Sequence, residues 1–560
     1  MTSRAAPDAI DVLVVGAGPT GLMLAAQLNR FGARFRIVDR AHDRAHESRA
    51  LGVQARTLEI LQQLGLGDSL VALGNKSAQL MIHIDGRPVA SASLTDFAAD
   101  DTRYPYILFV SQAETERLLL EHLMARGVRV ERGVEFVDYQ DDALGVSCQM
   151  RHDNGHEERL TVQYVAGCDG AHSTVRKRAT IPFQGDAYLQ DFMLGDVECD
   201  DSPNVPLANG FIHPCVGRSG IAIFFPLGHP ATWRVIAMSA RSAEASGRLR
   251  GEPDEPPTDE LSLAELQAAI DGATGGGLRV HTPAWMTHFR LHHRQAADYR
   301  RGRVFVVGDA AHIHSPVGAQ GMNTGIQDAW NLGWKLALVA RGESMERLLD
   351  TYQEERWPVG RALLLFTDRA FSLIVRSLSP GKLTAWLRRT VPALMLPFVL
   401  RSKQLRTLAF RFVSELDIAY RGSSAVREGT PPLRRGPKAG DRLPEAALVT
   451  HGREAFLHEQ IAAPSFHLLL CGPVEAWNVR AVHELLKSHD RLAAHYLTTR
   501  GNSDHLVDAT GGALALLGVS DAAQYLVRPD GHIGYRCAGH DLSGVDGYLR
   551  EWLSGRRPTF

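Results

Sequence analysis

The 560-residue sequence has few cysteines, and none of them is spaced for metal or redox chemistry. Its six cysteines, Cys148, Cys168, Cys199, Cys215, Cys471 and Cys537, include no C-x-x-C pair. This excludes a zinc knuckle and a dithiol redox motif, so we expect no metal site. Thiols scattered over so long a chain are typical of a reducing compartment, which predicts a cytoplasmic protein.

The sequence also lacks a strong net charge and long apolar runs. A formal net charge of −2 argues against a nucleic-acid or anionic-membrane partner. The most apolar run, residues 391–400, is too short to span a bilayer and contains two prolines. The N-terminus shows no signal-type apolar stretch. We therefore expect a globular chain of several domains with neither a nucleic-acid nor a membrane partner.

The segment at 11–40, "DVLVVGAGPTGLMLAAQLNRFGARFRIVDR", predicts a strand, a tight turn, a helix and a second strand. In the turn, Gly16-x-Gly18-x-x-Gly21 is the dinucleotide-binding spacing, and Asp39 closes the second strand. Gly16 allows the turn, Gly18 lets the backbone approach a pyrophosphate, and Gly21 permits close helix packing. The helix N-terminus then faces the phosphates. Asp39 is expected to accept the ribose hydroxyls, and a purely structural glycine turn is the alternative.

Two later segments repeat the pattern of a buried strand followed by a polar turn. "CDGAHSTVRK" at 168–177 carries Asp169-Gly170, and "VFVVGDAAHIHSPVGAQGMN" at 304–323 carries Gly308-Asp309. Three such strand-end motifs in this order resemble those of the FAD-dependent aromatic hydroxylases, the single-component flavin monooxygenases of the p-hydroxybenzoate hydroxylase fold. A single G-x-G-x-x-G fits this class, in which the reductant docks transiently and needs no second nucleotide domain.

The resemblance implies how one FAD is held. Asp309 would accept a hydrogen bond from the ribityl chain, Gly318 to Asn323 would wrap the flavin ring, and the N–H groups of the following helix would stabilise negative charge on it. Asp169 and Arg176 would support FAD and the reductant NAD(P)H. The predicted cofactor-binding residues are Gly16, Gly18, Pro19, Thr20, Gly21, Asp39, Arg40, Arg49, Gln112, Asp169, Arg176, Asp309, Pro316, Gly318, Gly321, Met322 and Asn323.

Several of these side chains have a plain structural alternative. Arg49 could form only a surface ion pair, and Gln112 could be an ordinary exposed helix residue. His312 is interpreted as structural, hydrogen-bonding beside the loop, and Trp330 and Trp334 as core. The catalytic residue is unknown, although His314 and Pro316 are expected near the flavin.

The resemblance predicts an enzyme that hydroxylates a phenolic or polycyclic aromatic compound with NAD(P)H and O₂ through a C4a-hydroperoxyflavin. Phe211, Phe224, Phe225 and Pro226 are candidate walls of the substrate pocket, and core packing is the alternative for each phenylalanine. The competing functions are a flavin reductase or halogenase on the same fold and a non-catalytic flavoprotein that binds an aromatic compound.

The predicted fold class is α/β, a Rossmann-type FAD-binding domain with an inserted β-rich substrate domain and a long helical region. The expected boundaries are 1–182 and 291–420 for the FAD-binding domain, 183–290 for the substrate domain and 421–445 for a linker. Residues 446–560 resemble the thioredoxin-like domain of larger family members without its C-x-x-C, and Asp530-Gly531 is a predicted hairpin turn. That domain would be structural, and homo-oligomer contacts through it stay open. Capping boxes are expected at Ser111 and Ser262.

Overall fold

The computed structural model describes residues 10–44, 51–76, 79–93, 97, 99–142, 145–200, 202, 205–208, 210–227, 231–239, 261–314, 320–377 and 402–553. The proline-containing segment at 242–260 and the apolar run at 391–400 lie outside these ranges, as do Arg49, Pro316 and Gly318. Within the described ranges, none of the helices combines the length and the apolar content needed to cross a bilayer.

The helices follow the chain as the sequence pattern indicates in most places. They are α1 (Pro19–Arg30), α2 (Ala55–Gln62), α3 (Gly67–Leu73), α4 (Gln112–Met124), α5 (Thr174–Arg178), α6 (Leu263–Thr274), α7 (Gly321–Ala340), α8 (Asp350–Ser377), α9 (Lys403–Val413), α10 (Leu457–Gln460), α11 (Val479–Ser488), α12 (Gly512–Leu516) and α13 (Ser543–Trp552). Short 3-10 turns lie at Gly308–Ala310, Glu346–Leu349 and Val474–Ala476.

The two predicted capping boxes have different outcomes. At α6, Ser262 and Glu265 form the full reciprocal box. At α4, Ser111 is the N-cap, but its hydroxyl accepts from the N–H of Ala113, and the Glu114 carboxylate accepts from Arg117 instead. The prediction of a box at Ser111 is therefore wrong, because Arg117 lies one turn away and competes for the carboxylate.

The Rossmann-type sheet has the order β17-β18-β11-β1-β2-β7. Its strands are β1 (Val12–Val15), β2 (Phe35–Asp39), β7 (Glu131–Arg132), β11 (Tyr164–Gly167), β17 (Arg300–Arg301) and β18 (Val304–Val306). All neighbours are parallel except β17 and β18. Val15 pairs with Gly167, and Gly167 pairs with Val306, so three strands end at one edge of the sheet. The loops that follow these strands therefore start side by side.

Two small sheets flank this domain. One is a meander of β8 (Val134–Asp141), β9 (Val146–His152) and β10 (Glu157–Val162), and the other pairs β3 (Gly52–Val53) with β6 (Leu108–Phe109). Along the chain, β3 and β6 both follow the first glycine loop and precede α4. A side chain of α7 contacts the backbone of β3, as described below.

The β-rich region expected from residue 183 contains most of a second, largely antiparallel sheet. Its strand order is β19-β16-β12-β15-β14-β13-β4-β5. Only its β13–β4 pairing is parallel. Its strands are β4 (Gln79–Ile84), β5 (Arg87–Ser93), β12 (Phe183–Cys199), β13 (Phe211–Val216), β14 (Gly220–Pro226), β15 (Trp233–Ser239), β16 (Val280–Ala296) and β19 (His312–Ile313). Two of them, β4 and β5, precede residue 183. Helix α6 covers one face, where Val197, Phe224 and Leu266 share a buried apolar cluster.

The C-terminal sheet has the order β20-β27-β26-β23-β24-β25-β21-β22. Its strands are β20 (Arg427–Glu428), β21 (Ala447–Thr450), β22 (Arg453–Phe456), β23 (Phe466–Cys471), β24 (Leu492–Thr498), β25 (Leu506–Val507), β26 (Ala523–Val527) and β27 (Ile533–Ala538). Strands β23 and β24 are parallel and joined through α11, whereas β26 and β27 form an antiparallel hairpin. The hairpin turn contains Gly531 at φ 81°, in agreement with the predicted Asp530-Gly531 turn.

Buried charges join this C-terminal unit to the helices of the first domain. Arg528 contacts Glu355 at 2.6 and 2.7 Å and also pairs with Asp530, and Lys335 lies 2.7 Å from Glu355. These four side chains are at most 1% exposed. Asp530 is therefore both a turn residue and one of the four members of a buried ion cluster, a role that its place in a turn motif does not indicate.

Candidate functional site

The first glycine loop has the geometry that its spacing predicts. Gly16 has φ 99°, and its N–H donates to the carbonyl of Val38 at 2.8 Å. A Cβ at Gly16 would lie 2.4 Å from the Cys168 carbonyl, and one at Gly21 would lie 1.9 Å from the Gly16 carbonyl. Any side chain at either position would push α1 away from the sheet. Both glycines are thus required by packing.

Gly18 differs from its neighbours because open space surrounds it. No heavy atom lies within 4 Å of the position that its Cβ would take. Gly18 borders a cleft of about 240 Å³ whose lining includes Gly16, Asp39, Arg40, Asp169 and Gly170. The first N–H groups of α1 point along the helix axis without intrahelical acceptors, which suits a phosphate. The cradle therefore fits the pyrophosphate and adenosine half of a dinucleotide.

Asp39 lies on the edge of this cleft and also supports the loop. Its Oδ2 accepts from the N–H of Ala17 at 2.6 Å, and its Oδ1 accepts from the N–H of Ala41 at 2.8 Å. Arg132 lies 3.6 Å from the same carboxylate. Each carboxylate oxygen accepts more than one hydrogen bond, so these contacts leave capacity for a ribose hydroxyl.

The second loop is held by its own side chains. Asp169 accepts from the Ser173 hydroxyl at 2.5 Å and from the N–H of Val175 at 3.1 Å, and burial raises the pKa of its carboxyl. Arg176 donates to the carbonyls of Ala171 and Ala310, each at 2.9 Å. Its guanidinium also lies over the Phe183 ring, 3.8 Å from the centroid. Arg176 thus fastens the second loop to the third.

The third loop packs directly against the first. Gly308 has φ 62°, and a Cβ there would lie 2.6 Å from the Thr20 Oγ1. A Cβ at Gly325 would lie 2.5 Å from the same atom. Asp309 is exposed between the buried Gly308 and Ala310. Loops almost three hundred residues apart in sequence therefore meet at Thr20, and Asp309 presents its side chain beside them.

Helix α7 begins next to this meeting point. Gly321, Met322 and Asn323 form its first turn, and their N–H groups precede the intrahelical bonding pattern. The Asn323 side chain donates to the Gly52 carbonyl at 2.9 Å and accepts from the N–H of Gln54 at 2.9 Å. The side chain thus anchors α7 to β3, which leaves the backbone of the turn as the predicted flavin contact.

A buried polar hub beneath the third loop was not found from the sequence. Asp328 accepts from the Gly308 N–H at 3.2 Å, from His312 at 2.7 Å and from Arg356 at 2.6 Å. Burial acts against its charge, yet Arg356 and His312 hold the pKa of the Asp328 carboxyl below its usual value. His312 has the structural contact that the sequence indicates. Asp328 looks like an ordinary polar residue of an amphipathic helix, so only the fold reveals its role.

The other side chains that the sequence singles out lie in different settings. His314 is buried, and its Cε1 would lie 3.8 Å from a Cβ at Gly321. Gln112, at the start of α4, donates to Glu116 at 2.8 Å. Trp330 and Trp334 are at most 2% exposed and belong to the core, as interpreted.

Along β14, successive side chains point to opposite faces of the sheet, so the candidate wall residues do not share one face. Phe224 is fully buried beneath α6, with its ring edge-to-face on Trp233 at 6.4 Å. Phe211 shares that face, because it lies two residues from His213, the cross-strand partner of Phe224. Phe224 is therefore a core residue, which is the alternative that the sequence left open for it, and Phe211 lies on the same side. Phe225 points to the opposite face, and the half-buried Pro226 ends the strand.

The face that Phe225 occupies also carries a buried ion pair. Phe225 pairs across the sheet with Arg234, and Arg234 pairs with Asp196. The Arg234 Nε and Nη2 donate to the two Asp196 oxygens, each at 2.7 Å. Ile221 and Ile223 lie on this face as well, by alternation along β14. The sequence gives no sign of the pair, because its two members lie 38 residues apart.

The chain is similar to known proteins over most of its length. A family model described as an FAD binding domain matches residues 9–367. A 6-methylpretetramide 4-monooxygenase from Streptomyces rimosus is 34% identical over 540 residues, covering 94% of this chain and 90% of that protein. A pentachlorophenol 4-monooxygenase from Sphingobium chlorophenolicum is 32% identical over 441 residues, covering 78% and 76%. The structure of an anhydrotetracycline hydroxylase from Streptomyces rimosus has a TM-score of 0.74 at 30% identity and covers 97% of this chain and 99% of that one.

Proposed function

The chain belongs to the family of FAD-dependent aromatic monooxygenases, and on that premise we propose how it holds FAD and which compounds it hydroxylates. The enzyme uses FAD and NAD(P)H to insert one atom of O₂ into a phenolic or polycyclic aromatic ring. FAD, when bound, supplies the redox chemistry that activates oxygen. The protein has to bind the cofactor and the ring, orient them and exclude water.

The meeting of the first and third loops at Thr20 carries the proposal that both hold one FAD. In this arrangement Gly16, Gly18 and the start of α1 hold the pyrophosphate, and Asp39 holds the adenosine ribose. Asp309 holds the ribityl chain. Pro19, Arg40 and Gln112 are further cofactor contacts in the same proposal, and so are Arg49, Pro316 and Gly318 in the segments that flank the described loops.

The start of α7 would complete the flavin site. The N–H groups of Gly321, Met322 and Asn323 lie at the positive end of the helix, which favours a negatively charged oxygen placed there. Asn323 and Asp328 fix the helix from two sides, so the donors keep their direction without reorganising. His314 lies beside this turn and has no assigned chemical step.

We infer that the substrate is a planar phenol or a fused-ring phenolic compound. The relatives named above act on pentachlorophenol and on a methylated pretetramide, which share a hydroxylated aromatic ring. In this proposal the ring lies on the sheet face of Ile221, Ile223 and Phe225, with Arg234 nearby. Apolar side chains beside a few fixed polar groups, here the Arg234–Asp196 pair, suit an aromatic ring that bears a hydroxyl.

The domain boundaries and the character of the C-terminal unit belong to the same proposal. A parallel β23–α11–β24 unit followed by the β26–β27 hairpin and α13 supports a thioredoxin-like domain over 446–560. The six cysteines are all free, which supports a reducing, cytoplasmic location. A homo-oligomer stays a prediction.

A turnover screen tests the proposal. Purified holoprotein is mixed with phenols, anthraquinones and related polycyclic phenols, and NADPH and NADH consumption is followed together with product mass. We expect one compound class to stimulate consumption and to gain one oxygen atom. Stimulated oxidation that yields only peroxide counts against hydroxylation of that compound. Halide incorporation identifies a halogenase, and binding without any consumption identifies a non-catalytic flavoprotein.

A further inference from the structure

A second cleft, of about 490 Å³, lies beside the first turns of α7 and outside the residues assigned to FAD. Helix α8 and the chain that follows α9 form its walls. The lining includes the apolar residues Pro358, Val359, Ala362, Leu363, Phe412 and Ile418, and also the acidic residues Glu354, Glu355 and Asp417. Both the volume and the largely apolar lining are in the range of small-molecule sites.

The lining of this cleft includes a buried side-chain oxygen that accepts no hydrogen bond from the described residues. Gln320, the residue before α7, is 1% exposed, and its Nε2 donates to the Val413 carbonyl at 3.2 Å. Its Oε1 is buried without a hydrogen-bond partner among the described residues. Leaving such an atom unpaired is unfavourable, so a ligand hydroxyl that donates to it gains affinity.

Glu415 is a second polar group on the floor, in an unusual backbone position. It follows the end of α9 at φ 59°, where glycine is the common residue. Its carboxyl accepts from the Thr324 hydroxyl at 2.7 Å and from the Gln327 amide. This backbone conformation is unfavourable for glutamate. A glutamate found there indicates that its side chain has a specific role.

Burial raises the pKa of Glu415 to about 7. The carboxyl therefore carries a proton over part of the neutral range and can donate as well as accept. The titratable and charged groups that act on it are Arg356 of α8, Asp328 of α7 and His312 of β19.

We propose that this cleft binds a phenolic aromatic ring, whose hydroxyl donates to Gln320 Oε1 while the ring packs on the apolar wall of α8. Glu415 provides the second polar contact. Because Gln320 directly precedes Gly321, the bound ring adjoins the proposed flavin cradle. The inference rests on the proposed function only in the choice of ligand class.

Calorimetric titration of the full-length holoprotein with two matched probes tests the hydrogen bond. 2-Naphthol can donate to Gln320, whereas 2-methoxynaphthalene cannot. We expect the methoxy compound to bind about tenfold more weakly. Gln320→Leu should weaken 2-naphthol about tenfold and leave 2-methoxynaphthalene nearly unchanged. An equal loss of affinity for both probes, or no loss of affinity for either probe, contradicts the assigned hydrogen bond.

Ala362→Trp tests the location with a substitution at an exposed position of α8. The indole should fill the cleft and reduce the binding of both probes at least tenfold. Arg361→Trp is the control, because Arg361 is also exposed and does not line the cleft. Binding that survives Ala362→Trp, or that both variants reduce equally, overturns the proposal. Flavin content and thermal midpoint establish that each variant is folded.

The inference and the proposed function fail separately. If Ala362→Trp abolishes probe binding, this supports the cleft as the binding site even when no compound stimulates NAD(P)H oxidation. If Ala362→Trp changes neither the stimulated hydroxylation nor the probe binding, the proposed enzymatic function is supported and the cleft is excluded as the binding site.

Discussion

At the scale of single residues, the three glycines of the first loop act in different ways. Gly16 and Gly21 are fixed by packing, whereas Gly18 faces open space at the mouth of the cleft. The spacing of the motif predicts all three glycines, although the Cys168 carbonyl that excludes a side chain at Gly16 comes from a distant segment. The contact of Thr20 with Gly308 and the hub at Asp328 could not be predicted, since their partners come from distant segments.

Glu415 should make stability depend on pH in a recognisable direction. Its folded pKa of about 7 lies above the unfolded value near 4.5, so the folded state holds the proton more tightly. Stability from this group is fully present below about pH 4.5 and is lost as pH rises to about 7, by roughly 3 kcal/mol at most. We expect the thermal midpoint of wild type, relative to Glu415→Gln, to fall between pH 5 and 7.5. A constant difference contradicts this pKa.

At the scale of elements, β14 shows what alternation adds to composition. The run "GIAIFFP" predicts an apolar strand, and both phenylalanines are equally plausible walls from composition alone. The structure assigns Phe224 to the α6 core and Phe225 to the opposite face. Which face a residue takes depends on register and on the layer that covers the sheet, and neither is contained in the strand itself.

Truncation of the two phenylalanines should therefore have opposite consequences. Phe224→Ala removes a fully buried ring, so we expect a loss of about 3–5 kcal/mol and a markedly lower thermal midpoint. Phe225→Ala should change the midpoint little and raise the apparent KM for the aromatic substrate. Equal midpoints for the two variants, measured by thermal unfolding, would contradict the assignment of faces.

At the scale of the whole molecule, the sequence predicts the order of the parts better than their contacts. The Rossmann unit, the β-rich insertion and the C-terminal α/β region each have a local pattern. The strands at 79–93 join the second sheet by long-range pairing, and the ion cluster around Arg528 forms only when distant segments dock. The linker is part of this docking, because Arg442 is buried and lies 3.0 Å from Glu59.

Arg528→Leu should loosen the C-terminal unit. The change leaves Glu355 and Asp530 as close buried carboxylates beside Lys335 without the guanidinium that contacts both, which costs about 3–5 kcal/mol. We expect a lower thermal midpoint and faster proteolysis within 421–445. Arg480→Leu is the control, because that side chain is 86% exposed in its pair with Glu484. Similar proteolysis rates for both variants would argue against the cluster as the docking element.

In the proposed function, the loops at Gly16 and Gly308 hold opposite ends of one FAD. The most direct measurement is the flavin-to-protein ratio of purified Asp309→Ala and Gly18→Val, beside Gly547→Val, a control glycine in an exposed turn of α13 with equally open surroundings. If one FAD spans both loops, both loop variants should lose at least about nine-tenths of their flavin while their circular dichroism stays that of the folded chain, and the control should retain its flavin. Wild-type flavin content in Asp309→Ala would contradict it.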